Sequence, residues 1–154
     1  MNNKETEIKF EKCALCGQAV AVRNDLAANE CQHCGWVVVA RPEEQPDVIA
    51  MPNFVSLNKA RQLYQVGKPL IPDYDDFIQM IEYYGEVEFY YNLVRYGVAT
   101  NPSDDGEYYI ELFIVDGEVI CKYLTLEEFA AKANINGTLL KDLWPQVKNA
   151  NWLQ

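Results

Sequence analysis

The chain is poor in the groups that most enzymes depend on. Its single histidine, His33, lies inside a cysteine motif, so neither a Ser-His-Asp nor a Cys-His arrangement has a spare base. No Gly-x-x-x-x-Gly-Lys or Gly-x-Gly-x-x-Gly segment occurs to cradle a phosphate. Positive charge is also scarce. Thirteen Lys and Arg stand against 23 Asp and Glu, a formal net charge of −10. That balance repels phosphate backbones and anionic bilayers, which argues against nucleic acid and membrane as partners. It favours a basic protein, because opposite fields speed encounter. No apolar run approaches the roughly 20 residues of a transmembrane helix. The opening residues carry charges of both signs with no apolar stretch behind them, so they do not read as a secretory signal. The expected location is the cytoplasm, where thiols stay reduced and cysteine pairs indicate metal rather than disulfides.

What is present is a core-forming composition, 49% hydrophobic, with five cysteines, four of them in two pairs. Cys13-Ala-Leu-Cys16-Gly17 and Cys31-Gln-His-Cys34-Gly35 are separated by fourteen residues. A Cys-x-x-Cys turn places two thiolates on one side, and a following glycine lets the turn close without a Cβ clash. Two such turns supply the four ligands of a tetrahedral zinc site, and four thiolates leave no position open for water. We therefore expect a structural Zn²⁺ held by Cys13, Cys16, Cys31 and Cys34; rubredoxin-type iron uses the same ligands. His33 reads as a solvent-facing knuckle residue that could replace a cysteine, and Cys121 as a small core residue of a strand. Segments 19–22 and 36–39 are strand-like, with Arg23-Asn-Asp25 as a turn.

The pattern predicts three parts. Residues 1–41 form a zinc-ribbon module, with 1–9 a loose lead-in. Residues 42–72 form a linker and a helix; the proline-rich 42–53 is extended, and the helix is capped by Ser56 and closed by Gly67. Residues 73–154 form an α+β domain. Within it, Asp73 or Asp75 caps a helix with Phe77, Ile78, Ile81 and Tyr84 on one face, ended by Gly85. Four strands follow, 86–91, 94–98, 108–115 and 118–123, joined by Asn92-Leu93, a loop over 101–106 and Asp116-Gly117. Thr125 caps a further helix, with Glu128 completing a capping box. Asn136-Gly137 makes a turn, and Thr138 starts a last helix with Leu139, Leu140, Leu143 and Trp144. The fold class is α+β: a zinc ribbon or knuckle, then a small antiparallel four-stranded sheet with helices on one face.

Carboxylate pairs such as Glu86/Glu88 and Asp104/Asp105 read as solvated surface, and no catalytic residue is assigned. Tyrosines crowd residues 83–109, and alternation puts Phe89 and Tyr91 on one sheet face and Tyr90 on the other. Rings beside carboxylates suit a protein interface. The candidate contacts are Tyr90, Asp104, Asp105, Glu107, Tyr108 and Glu111.

Residues 10–67 resemble the bacterial cysteine-rich CPCC family. The resemblance rests on Cys13 to Gly17, on Cys31-x-x-Cys34 with Trp36, and on the segment running from Asn53 through Ser56-Leu57, Ala60-Arg61 and Tyr64 to Gly67. Here Cys-Ala-Leu-Cys replaces the family's Cys-Pro-Cys-Cys, and Val37-Val-Val39 replaces its acidic run. The second half is similar to small bacterial α+β domains with a Glu-Phe-x-Tyr-Asn hairpin and a Leu-x-x-x-Trp helix. The resemblance implies a toxin-neutralising role, so the leading expectation is an immunity protein for a basic bacterial toxin. The alternative is a zinc-ribbon adaptor for nucleic acid or a transcription complex, although the module carries few basic residues, among them Lys9, Lys12 and Arg23, then Arg41.

Overall fold

The structure, a computed structural model, describes residues 5–26, 28–38 and 44–148. The expected strand residue Val39, Arg41 and the first two residues of the expected linker lie outside these. The chain divides into two compact units, with the break between Ile71 and Pro72. Among the described residues the architecture is α+β, as the sequence pattern predicts.

In the first unit, β1 (Ile8–Lys12) pairs antiparallel with β2 (Ala19–Arg23), and β3 (Asn29–Glu30) pairs with β4 (Val37–Val38). Ile8 and Lys9, expected in a loose lead-in, are strand residues. Lys9 sits opposite Val22, so the hairpin consumes them. Helix α1 (Leu57–Gln65) starts at Ser56, whose hydroxyl accepts from the Lys59 amide at 3.2 Å. It stops where Gly67 turns left-handed at φ 68° and the Lys68 amide returns to the Leu63 carbonyl at 2.9 Å.

The proline-rich stretch before α1 folds against this unit. The Asn58 amide donates to the Pro46 carbonyl, its side chain donates to Asp47, and Ile49 is fully buried. Val55, Leu57, Ala60 and Leu70 close one apolar core with Cys13, Val20, Cys31 and Trp36. Four hairpin strands of two to five residues bury too little to stand alone, and the helix supplies the missing apolar wall.

The second unit opens with α2 (Tyr74–Tyr84). Asp73 is its cap, and Asp73 and Asp76 exchange side-chain-to-amide hydrogen bonds of 2.9 Å. Its buried residues are Phe77, Met80 and Ile81; Tyr84, expected on that face, is 44% exposed. Four strands, β5 (Glu86–Tyr91), β6 (Val94–Pro102), β7 (Tyr108–Ile114) and β8 (Val119–Tyr123), form a meander in that order. β6 runs longer than its apolar pattern, because Asn101 and Pro102 pair with Tyr109 and Tyr108.

Helix α3 (Leu126–Lys132) is capped by Thr125, whose hydroxyl accepts from the Glu128 amide, and Glu128 binds Lys132. The expected helix start at Thr138 is a strand. Asn136 and Gly137 adopt φ 52° and 85°, which closes a two-residue hairpin between β9 (Asn134–Ile135) and β10 (Thr138–Leu139). Only then do α4 (Leu140–Leu143) and a 3₁₀ turn (Trp144–Gln146) follow.

The helices cover one sheet face through an aromatic core. Phe77 stacks on Trp144 at 4.3 Å and meets Phe89 edge-on, while Phe89 stacks on Tyr96. Trp144 Nε1 donates to the Pro72 carbonyl and Tyr74 Oη to the Ala130 carbonyl. The edge of β5 is extended by a two-bond exchange between Tyr90 and Lys148.

Candidate metal centre

Each cysteine pair occupies the tip of a hairpin, and the two tips are built alike. In the first, the Cys13 amide donates to Gln18 and the Gly17 amide to Cys13; in the second, Cys31 donates to Trp36 and Gly35 to Cys31, all at 2.8–2.9 Å. Gly17 and Gly35 take the same left-handed turn, φ 78° and 79°, a conformation that side chains disfavour. The expectation that a glycine closes each turn holds for this reason.

The two tips bring four sulfurs together. Cys13 Sγ lies 3.6 Å from Cys34 Sγ and Cys16 Sγ 3.6 Å from Cys31 Sγ, and all four lie within 4.8 Å of one another. A tetrahedron with metal–sulfur bonds of about 2.3 Å has edges of about 3.8 Å. The separations are much longer than a disulfide's roughly 2.05 Å, and all four cysteines are free. The donor set therefore fits one metal ion bound by four cysteines. Cys13 and Cys31 are buried, whereas Cys16 and Cys34 are partly exposed, so the site has an inner and an outer half.

The electrostatics suit a cation. Burial raises the Cys34 and Cys16 thiols. Burial also works against Cys31, but the Cys34 and His33 amides and neighbouring sulfurs bring it down to about 7. Burial thus opposes the charged form that a ligand must take, in conflict with the amides that favour it at Cys31. A bound metal removes that conflict.

His33 is exposed and is not in the sulfur cluster. Cys121 lies in β8 opposite Leu112, is only partly buried and is not among the clustered cysteines. Trp36, between the second knuckle and β4, is 2% exposed, and its Nε1 finds no partner among the described residues. No family model matches this chain, and no curated protein or solved structure matches it either.

The six candidate partner contacts do not form one patch. Tyr90 and Glu111 lie on the helix-free sheet face, Tyr90 opposite Arg95 and Glu111 opposite Ala99. Tyr108 shares the parity of buried Ile110 and Leu112 and so belongs to the other face, 63% exposed at its rim. Asp104, Asp105 and Glu107 form the loop tip between β6 and β7. Eight strand positions separate Arg95 from Ser103, about 26 Å at about 3.3 Å per residue, so Tyr90 is remote from that tip.

Glu111 is engaged by Asn101 at 3.0 Å and by Lys122 at 3.9 Å. Asp105 is held inside the loop by the Ser103 hydroxyl and the Glu107 amide, which lower its pKa. Asp104 and Glu107 expose their side chains at the tip.

Sequence reasoning missed the charge partition that the unit boundary creates. Residues 1–71 hold eight Lys and Arg and eight Asp and Glu, a net charge of zero. Residues from 72 onward hold five and fifteen, so the whole −10 belongs to the second unit. Counting charge by segment would have found this.

Proposed function

We propose that this chain is a non-catalytic binding protein whose first unit is stapled by structural zinc and whose acidic second unit engages a basic protein. In its most concrete form it is an immunity protein that neutralises a basic bacterial toxin. The observation that carries the reading is the charge partition: the metal unit is neutral, and the sheet-and-helix unit holds the entire excess of carboxylate. A field of that sign steers cationic partners and repels nucleic acid. A neutral cysteine unit likewise offers no basic footprint for a nucleic-acid adaptor.

Four thiolates with no open coordination position suit a staple rather than a reaction. Small hairpins of this kind draw folding energy from the metal they bind. Reduced thiols suit the cytoplasm. The resemblance of residues 10–67 to the CPCC family supports the toxin-neutralising form of the reading.

The test is co-purification from the source organism at low salt, followed by calorimetry with the recovered protein. The expected result is a stoichiometric basic partner whose affinity falls steeply with salt and with the double change Asp104→Asn, Glu107→Gln. In the immunity form, co-expression also rescues cells from that partner. Recovery of no stoichiometric partner, or binding indifferent to salt and to those substitutions, would overturn the reading.

A further inference from the structure

Two hairpins must meet at a fixed distance for four sulfurs to converge. The Asn29 side chain of β3 joins them once, accepting from the Arg23 amide at 2.9 Å and donating to the Arg23 carbonyl at 3.4 Å, but this link lies at the end of β2 far from the first knuckle. Both hairpins are held by one segment, residues 53–61. Asn53 is 5% exposed and meets the peptide groups of Val37 in both directions. The Val37 amide donates to Asn53 Oδ1 at 3.0 Å, and Asn53 Nδ2 donates to the Val37 carbonyl at 2.8 Å. The side-chain amide thus acts as one more strand residue against β4, three positions past Cys34.

Eight residues on, Arg61 Nη2 reaches the Ala14 carbonyl inside the first knuckle at 3.4 Å, and its Nη1 is steadied by Asn58 Oδ1 at 3.4 Å. Between these two contacts, Leu57 and Ala60 pack against the cysteine core. One end of the segment holds the second knuckle, and the other end holds the first.

We propose that Asn53 and Arg61 are positioning residues of the metal centre, one for each knuckle, and that together they set how tightly four sulfurs retain the ion. This rests on the metal reading above. Arg61 also brings a guanidinium to a centre that carries two net negative charges once a divalent ion sits on four thiolates, a role that its length and fixed charge suit. Asn53 works through geometry alone, since an amide is the one uncharged side chain that offers donor and acceptor in peptide-like spacing.

The experiment uses the full chain loaded with Co²⁺, whose thiolate charge-transfer and visible bands report tetrahedral sulfur coordination. Transfer of the ion to a colorimetric chelator gives its release rate. Wild type should bind one ion per chain; failure of that control rejects the metal reading itself and is distinct from failure of this proposal. Asn53→Asp keeps the acceptor but loses the donor and adds a negative charge. It should release the ion at least about tenfold faster with altered visible bands. Arg61→Gln should release it several-fold faster, with Arg61→Lys recovering part of the loss through its charge.

Arg61 is only partly buried, so its variants keep the test decisive if the Asn53 change does not fold. Release rates and spectra equal to wild type in folded Arg61→Gln would overturn the proposal. So would loss of thermal stability in both variants with metal retention unchanged.

Discussion

The ring of Phe113 lies across Gly97 on the helix-free face of the sheet, so close that a Cβ on Gly97 would stand 2.5 Å from Phe113 Cζ. The pair sits at directly opposed positions of β6 and β7, where an aromatic ring covers a backbone that has no side chain of its own. Gly97→Ala should therefore destabilise the protein by about 1–3 kcal/mol, since the ring must leave its site. In a Phe113→Ala background the same change should cost much less. A double-mutant cycle by urea denaturation measures this coupling, and additive effects would reject it.

Metal removal should act on one unit. A strong chelator under reducing conditions should release one ion per chain. Amides of β1–β4 should then lose their protection from hydrogen exchange, while those of β5–β8 keep theirs. The reason is that the first unit's core includes two of the four ligands, Cys13 and Cys31, whereas the second has an aromatic core of its own. Exchange measured by mass spectrometry on the intact chain checks this. Uniform loss across both units would contradict it.

Alkaline pH should weaken the second unit through Tyr74. Burial, with a smaller contribution from Asp75, pushes its phenol up to about 12 from 10.0, and its hydroxyl donates to the Ala130 carbonyl at 2.9 Å. The unfolded chain loses this proton near pH 10 and the folded chain near pH 12. The stabilisation is thus complete below pH 10 and declines as pH rises between the two. Because the ring is only partly buried, solvent screening reduces the effect, and the loss should be on the order of 1 kcal/mol. Tyr74→Phe should cost about 1 kcal/mol at neutral pH and flatten the alkaline decline. Denaturant midpoints from pH 8 to 12 decide it.

Leu93 should be replaceable at a gain. It occupies a hairpin turn at φ 64°, next to Asn92 at φ 48°, with its side chain fully exposed. A branched residue in that region is strained, and glycine is not. Leu93→Gly should raise stability by about 1 kcal/mol, seen as a higher melting temperature. An unchanged or lower value would mean that the leucine makes a contact in solution.

Features confined to a few neighbouring residues were legible in the sequence. The Ser56, Asp73 and Thr125 caps each follow from one side chain meeting a backbone amide three residues on, and the Gly67 and Gly85 stops and the Asn92-Leu93 turn from residues that take a left-handed φ. Thr138 misled because threonine suits a cap and a strand equally, and the left-handed pair Asn136-Gly137 decided for the strand. The segment before α1 misled because prolines signal an extended backbone but not what it packs against.

The four cysteines that converge as candidate ligands were legible in the sequence alone, because a Cys-x-x-Cys-Gly turn organises its own sulfurs and needs a partner only of the same kind. The tertiary structure alone decided what holds the two turns together. Asn53 to Val37 spans 16 residues and Arg61 to Ala14 spans 47, and no periodicity or local propensity encodes a hydrogen bond across such distances. It also separated Tyr90 from the Asp104 loop and Tyr108 from Glu111. Strand length and side-chain parity count only once the strands have paired.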